Sequence, residues 1–185
     1  MNKFPQKHFD GTLYTLAHLN PMQVKVPLDI KANTVIDLHI TFGCHCFTET
    51  FVPTIHAEHH RYTYKGELRA FSQLRYECSL HLPRVMQSLI KGTIYNANDS
   101  YTYVAHIKLH AAGKPQNYSV FFSLKNVAAA VRPALSMFVK STYLRPCAAK
   151  PNAQSWRFAS LAGQITGMFP TKPKHPRPQK KKKAP

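Results

Sequence analysis

The run Leu135-Ser-Met-Phe-Val-Lys-Ser-Thr-Tyr143, read with Tyr118-Ser-Val-Phe-Phe-Ser-Leu-Lys125 before it, decides the fold. Apolar residues alternate with polar ones through much of both, the period of a strand buried on one face. The later run ends in Lys140, Ser141, Thr142 and Tyr143, with Arg145 just beyond, so this strand pair presents a cationic, hydroxyl-rich end. Upstream, Tyr101 to Leu109 alternates too. Tyr101, Tyr103, Ala105, Ile107 and Leu109 fall on one face, and Thr102, Val104, His106 and Lys108 on the other. Gly113-Lys-Pro115 supplies a turn between the first two runs, and a three-strand antiparallel meander follows.

Outward from the meander the signals alternate between helix and strand. Pro83 suits a first helical turn, and Leu82, Val85, Met86, Leu89 and Ile90 recur at helical spacing before Gly92 stops them. Ser155 reads as the N-cap of a final helix carrying Trp156, Ala159, Ala162 and Ile165. In the first half, Val35 to Phe42 alternates strictly, Asp10-Gly11 reads as a turn before a short strand at Thr12 to Leu16, and Arg69 to Glu77 reads as another strand. Pro53 to Gly66 is polar and histidine-rich and reads as a loop. The expected fold class is α+β: a single antiparallel sheet with helices packed on one face, forming one domain over residues 1–169. Residues 170–185 are Pro- and Lys-rich and are expected to be a disordered basic tail.

Charge is the strongest functional signal. The net charge is +17, and all eight acidic residues lie at or before Asp99. Fifteen Lys and Arg residues and no acid follow. A one-sided field of this kind attracts phosphates, whereas a merely solubilising surface mixes both signs. Nucleic acid is therefore the expected partner, RNA favoured over DNA, with room for a neutralising protein partner. No apolar run approaches the ~20 residues of a membrane span, and Met1 to Thr12 lacks the apolar core of a secretory signal. Four cysteines without a disulfide-framework spacing favour a reduced, cytoplasmic setting.

Three candidate sites follow. Lys180, Lys181, Lys182 and Lys183 in the tail, with Arg75, Lys108, Lys140 and Arg145 in the body, would hold phosphates. RNA can be cut without metal by its own 2′-hydroxyl if a base, an acid and cations surround the phosphate. His45 and His106 are the candidates for proton transfer, with Ser141, Thr142 and Tyr76 orienting. Carboxylates are too scarce for a magnesium cradle, so no cofactor is expected. A zinc set of Cys44, Cys46, His56 and His60 is the alternative, although one residue between the cysteines is too few for the familiar structural sites. The rival function is a non-catalytic nucleic-acid-binding module, stacking bases on Tyr101, Tyr103, Phe121 and Phe122.

Leu16-Ala-His-Leu19 with Pro21, Phe42-Gly-Cys-His-Cys-Phe-Thr48, Arg75-Tyr76, Leu82-Pro83, Val120-Phe-Phe122 and Val139-Lys-Ser-Thr-Tyr143 resemble an uncharacterised family of small bacterial proteins associated with mobile elements. More distantly, Leu82 to Arg145 is similar to the barnase–EndoU–colicin–RelE type of RNase toxin. That resemblance implies a helix packed on a small antiparallel sheet and metal-free RNA cleavage. It would make Ser141 and Thr142 the last-strand hydroxyls and His106 or His45 the proton carrier.

Overall fold

The computed structural model describes residues 3–29, 33–97, 102–111, 114–127, 132–144 and 153–170. In chain order its strands are β1 (Lys7–Phe9), β2 (Thr12–Tyr14), β3 (Met22–Asp29), β4 (Thr34–Phe42), β5 (Thr48–Thr50), β6 (Arg61–Tyr64) and β7 (Glu67–Phe71), followed by β8 (Thr93–Asn96), β9 (Thr102–Ala111), β10 (Lys114–Asn126), β11 (Ala134–Leu144) and β12 (Ser155–Arg157). The helices are α1 (Gln73–Ser79), α2 (Leu82–Leu89) and α3 (Phe158–Ile165). Short 3-10 turns occupy Ala17–Leu19, Cys44–Cys46 and Glu58–His60.

The expected meander forms: β9, β10 and β11 lie side by side and antiparallel. The single antiparallel sheet does not. Three sheets are present among the described residues, and the largest has seven strands in the order β12-β8-β9-β10-β11-β4-β3. It is mixed, because β11 runs parallel to β4, with Leu135 opposite Leu38 and Met137 opposite Ile40. Alternation reports which face of a strand is buried but is silent on the direction of its neighbour, so this long-range pairing left no local trace. Helix α3 follows the edge strand β12 yet touches β3 at the opposite edge, so the sheet curls around its core.

Two further expectations are corrected. The segment after β7 turns helical at Gln73, where it buries Cys78 and Ser79 on the inner side; Ser72 occupies the N-cap position without a side-chain cap bond. The last helix starts at Phe158, two residues later than expected; Ser155 instead opens β12, whose Trp156 packs edge-on against Tyr103. Helix α2 stands as expected, with Leu82, Val85, Met86 and Leu89 buried. The expected loop also contains β6, which forms a hairpin with β7 through Lys65 and Gly66. Both turn residues have positive φ, the type I′ geometry that matches strand twist.

The inner face of the large sheet carries Leu38, Ile40 and Phe42 from β4, Leu135, Met137 and Val139 from β11, and Val120, Phe122 and Leu124 from β10. With the buried faces of the helices these residues make one core. The outer face carries Thr102, Val104, His106 and Lys108 opposite Ser123, Phe121, Ser119 and Asn117. A register shift between Phe121 and Phe122 leaves Lys140 unopposed on β11, which brings Thr142 inward beside Val120 and turns Ser141 outward beside Phe121. Among the described residues no helix is long and apolar enough to cross a membrane.

Leu38 sits in the parallel pair and is fully buried. Leu38→Ala should lower unfolding stability by about 2–5 kcal/mol in denaturant titrations. Substituting exposed Leu74, on α1, should stay within about 0.5 kcal/mol.

Candidate functional site

The site is built on the turn from Gly43 to Thr48. At Gly43 the chain leaves β4 and presses against β11, its N–H donating to the Val139 carbonyl at 2.8 Å. A Cβ at this position would lie 2.9 Å from the Lys140 carbonyl oxygen, closer than real Cβ contacts come, so the approach requires glycine. The next three residues, Cys44–Cys46, form a 3-10 turn, and each of their carbonyls is held by a side chain from elsewhere. Thr48 Oγ1 donates to Cys44 O at 2.8 Å, Arg75 Nη1 to His45 O at 3.1 Å, and Thr142 Oγ1 to Cys46 O at 3.3 Å. Arg75 also donates to Thr48 O at 2.9 Å and lies over the Tyr143 ring at 4.6 Å.

A turn held this way sends its side chains in fixed directions. Cys46 points into the core, its thiol 3.8 Å from the Val139 carbonyl, and burial pushes its pKa up to about 12. Cys44 and His45 point the other way, towards Glu67. His45 Nε2 lies 2.8 Å from Glu67 Oε1, and the Cys44 thiol lies 3.9 Å from Glu67 Oε2. Burial, then the Glu67 charge, raises the Cys44 pKa, so the thiol is protonated at neutral pH. Arg69 also reaches Glu67 Oε1, at 3.4 Å.

These groups line a cavity of about 510 Å³ together with Lys3, Phe42, Tyr64, Lys65, Phe138 and Lys140. Three ammonium groups from distant parts of the chain thus meet one carboxylate, which His45 and Arg69 already engage. Lys3 donates to the Phe42 carbonyl, and its pKa is lowered by burial and by the charge of Lys65. Lys140 reaches from the cavity to Thr102 Oγ1 at 2.7 Å, tying the cavity to the outer sheet face.

The residues nominated for chemistry separate into three groups. His45 and Lys140 line the cavity. His106, Ser141 and Lys108 lie on the outer face, where His106 Nδ1 is 3.2 Å from Ser119 Oγ, its ring is 5.5 Å from that of Tyr95, and Lys108 donates to Asn117 at 2.7 Å. Burial lowers the His106 pKa, so the imidazole is neutral at pH 7 and adds no charge to that face. Register puts His106 opposite Ser119 and Ser141 opposite Phe121, two strands and two residues apart, which is about 10 Å or more. Arg75, Thr142 and Tyr76 serve the framework. Arg75 and Thr142 hold turn carbonyls, and Tyr76 packs edge-on against Tyr14 at 4.8 Å and His18 at 5.5 Å. Arg145 and Lys180 to Lys183 lie outside the described residues, as does the expected tail from residue 171 onward.

The zinc set of Cys44, Cys46, His56 and His60 does not gather, since Cys46 faces the core while His56 accepts from the Val52 N–H and stacks beside His60. Of the expected stacking residues, Phe122 is buried and Tyr103 packs inward against it, Phe121 faces outward beside Tyr143, and Tyr101 lies outside the described residues. Lys3, Lys65, Glu67 and Phe138 were missed. Only the Lys65-Gly66 turn, a hairpin signal that sets Glu67 at the start of β7, could have pointed to them.

The chain belongs to the YjaZ family, whose model matches residues 6–166. That span takes in the turn, the hairpin and the whole seven-stranded sheet. No curated protein and no solved structure matches the chain.

Two measurements check the account of the turn. Arg75→Met removes both carbonyl contacts and should cost about 2–4 kcal/mol of stability in denaturant titration. Brief iodoacetamide treatment at pH 8.5 followed by peptide mapping should leave Cys46 unmodified in the folded protein, because its thiolate is absent well below pH 12, and should modify it once denaturant is added.

Proposed function

We propose that the protein binds nucleic acid, RNA in preference to DNA, with the phosphate backbone entering the cavity of Lys3, Lys65 and Lys140. The carrying observation is the convergence of these three lysines on one cavity whose single carboxylate is already engaged. Mutual repulsion between Lys3 and Lys65 is a standing cost in the free protein, and an anion seated between them removes it. Phe138, 42% exposed in the same wall, offers a ring face for a base, with the Lys3 ammonium 5.9 Å from its centroid. Lys140 reaches from the cavity to Thr102, and the acid-free basic sequence after Asp99 supplies the wider attraction. The described cysteines are free thiols, which fits a reducing, cytoplasmic setting.

The ribonuclease reading draws less from the geometry. His45 bonds Glu67, His106 bonds Ser119 on a separate part of the sheet, and the Thr142 hydroxyl is spent on a backbone carbonyl. Metal-free cleavage needs the acid and the base on one phosphate.

The full-length chain, Lys65→Ala and Lys140→Ala should be titrated with a labelled single-stranded RNA at several salt concentrations. Each substitution should weaken binding several-fold and reduce the salt slope by about 0.7. Unchanged affinity in both, with loss only when Lys180 to Lys183 are neutralised, would overturn the cavity as the binding site. The RNA should stay intact in EDTA. Cleavage there that His45→Ala or His106→Ala abolishes would restore the ribonuclease.

A further inference from the structure

From the Cys44, His45 and Glu67 geometry we infer a zinc site with three protein ligands and an open fourth position facing the lysine cavity. The three ligand atoms already lie within 4.8 Å of one another. Tetrahedral zinc bound at the usual lengths to sulfur, nitrogen and oxygen sets its ligands about 3.3–3.6 Å apart. Here His45 Nε2 stands 2.8 Å from one Glu67 oxygen and Cys44 Sγ 3.9 Å from the other, so closing the set on an ion takes side-chain shifts on the order of an ångström.

A plain ion pair accounts for His45 and Glu67 but not for Cys44. Two cysteines bracket the same histidine, and the turn sends them to opposite sides: Cys46 to the core, Cys44 to the second oxygen of the carboxylate. The backbone that does this is held at three successive carbonyls and by the Gly43 contact, so ligand directions are set before any ion arrives. On the opposing wall, the type I′ turn at Lys65-Gly66 fixes where β7 begins, and with it Glu67.

The donor set selects the metal. A thiolate with an imidazole and one carboxylate suits zinc and is poor for magnesium or calcium, which take oxygen ligands. On binding, the Cys44 thiol releases its proton to solvent, and His45 ligates through Nε2 with its remaining proton on Nδ1. Thiolate and carboxylate then cancel the two charges of the ion, so the loaded site is neutral, one charge more positive than the metal-free site, in which the Cys44 thiol is protonated. Three protein ligands leave a fourth position for water or an anionic oxygen, and it opens into the cavity where the lysines wait. This inference stands apart from nucleic-acid binding, since metal uptake is read without RNA.

Full-length protein, reduced and stripped of metal, should be titrated with Co²⁺. One equivalent should bind with a thiolate-to-cobalt charge-transfer band and tetrahedral visible bands, and Zn²⁺ should displace it. Cys44→Ser should remove the charge-transfer band. Glu67→Gln, at a surface position that does not threaten folding, should weaken uptake at least tenfold. Cys46→Ala, Cys147→Ser and His60→Gln, each verified as folded by circular dichroism, should keep the wild-type spectrum. Azide should shift the visible bands by entering the open position. Folded protein without a tetrahedral cobalt spectrum, or a spectrum that survives Cys44→Ser or vanishes with Cys147→Ser or His60→Gln, would overturn the site. Bands that azide leaves unmoved would overturn the open position.

Discussion

The contact of Gly43 with strand β11 is the constraint on which the candidate site depends. The Gly43 N–H bonds the Val139 carbonyl, and the bare Cα lets the chain approach Lys140 to a distance that any Cβ would forbid. That approach follows directly on the parallel pairing of β4 with β11, which ends at Phe42 opposite Val139. The turn is therefore an extension of the sheet, and its position is inherited from two strands whose inner faces line the core. Buried carbonyls that leave a ladder need other donors. Thr48, Arg75 and Thr142 supply them from β5, α1 and β11, so three elements converge on three consecutive peptide units.

This convergence reassigns residues that look functional in the sequence. Arg75 and Thr142 belong to a basic and hydroxyl-rich set, and the chemistry that suits them to phosphate suits them equally to carbonyl capping. A guanidinium whose Nη1 donates to two carbonyls and which lies over an aromatic ring is committed to the framework. Lys140 differs from them by one structural accident. The register shift beside Phe121 leaves it without a cross-strand partner, which frees it to span from the cavity to Thr102. Its neighbours Ser141 and Thr142 part to opposite faces as consecutive strand residues do, and the bulge decides that Thr142 is the one facing inward. A cluster contiguous in sequence thus becomes one cavity residue, one outer-face residue and one structural donor.

What could be read in advance follows the range of the interactions involved. The meander, strand β4 and helix α2 are legible because each rests on a local period with adjacent turn signals: Gly113-Lys-Pro115, strict alternation from Val35 to Phe42, and Pro83 with Gly92. The parallel pairing across almost a hundred residues has no local signature, and it alone converts the expected antiparallel sheet into a mixed one. Helix α1 was hidden because Leu74 and Tyr76 alternate over too short a span to separate strand from helix. At the site, Cys44 and His45 stood out by residue type. Glu67 did not, because a lone acid on a hairpin gains meaning only when the hairpin folds over the turn.

The electrostatics of the cavity bind these threads. Most of the positive charge lies in the second half of the sequence, yet two of the three converging lysines, Lys3 and Lys65, come from the first half, where charges nearly balance. The acid-free composition after Asp99 is thus a guide to the partner but a poor guide to the seat. A long-range field draws a polyanion towards the molecule without choosing a place for it. Choosing a place needs fixed charges at short range, with their own counter-charges spent elsewhere. Here the spending is visible, since Glu67 is engaged by His45 and Arg69 while burial and then the Lys65 charge lower the Lys3 pKa. The same arrangement keeps the carboxylate near the Cys44 thiol and the imidazole. Anion seat and cation site are then two sides of one cavity, and the hairpin that brings Lys65 to one brings Glu67 to the other.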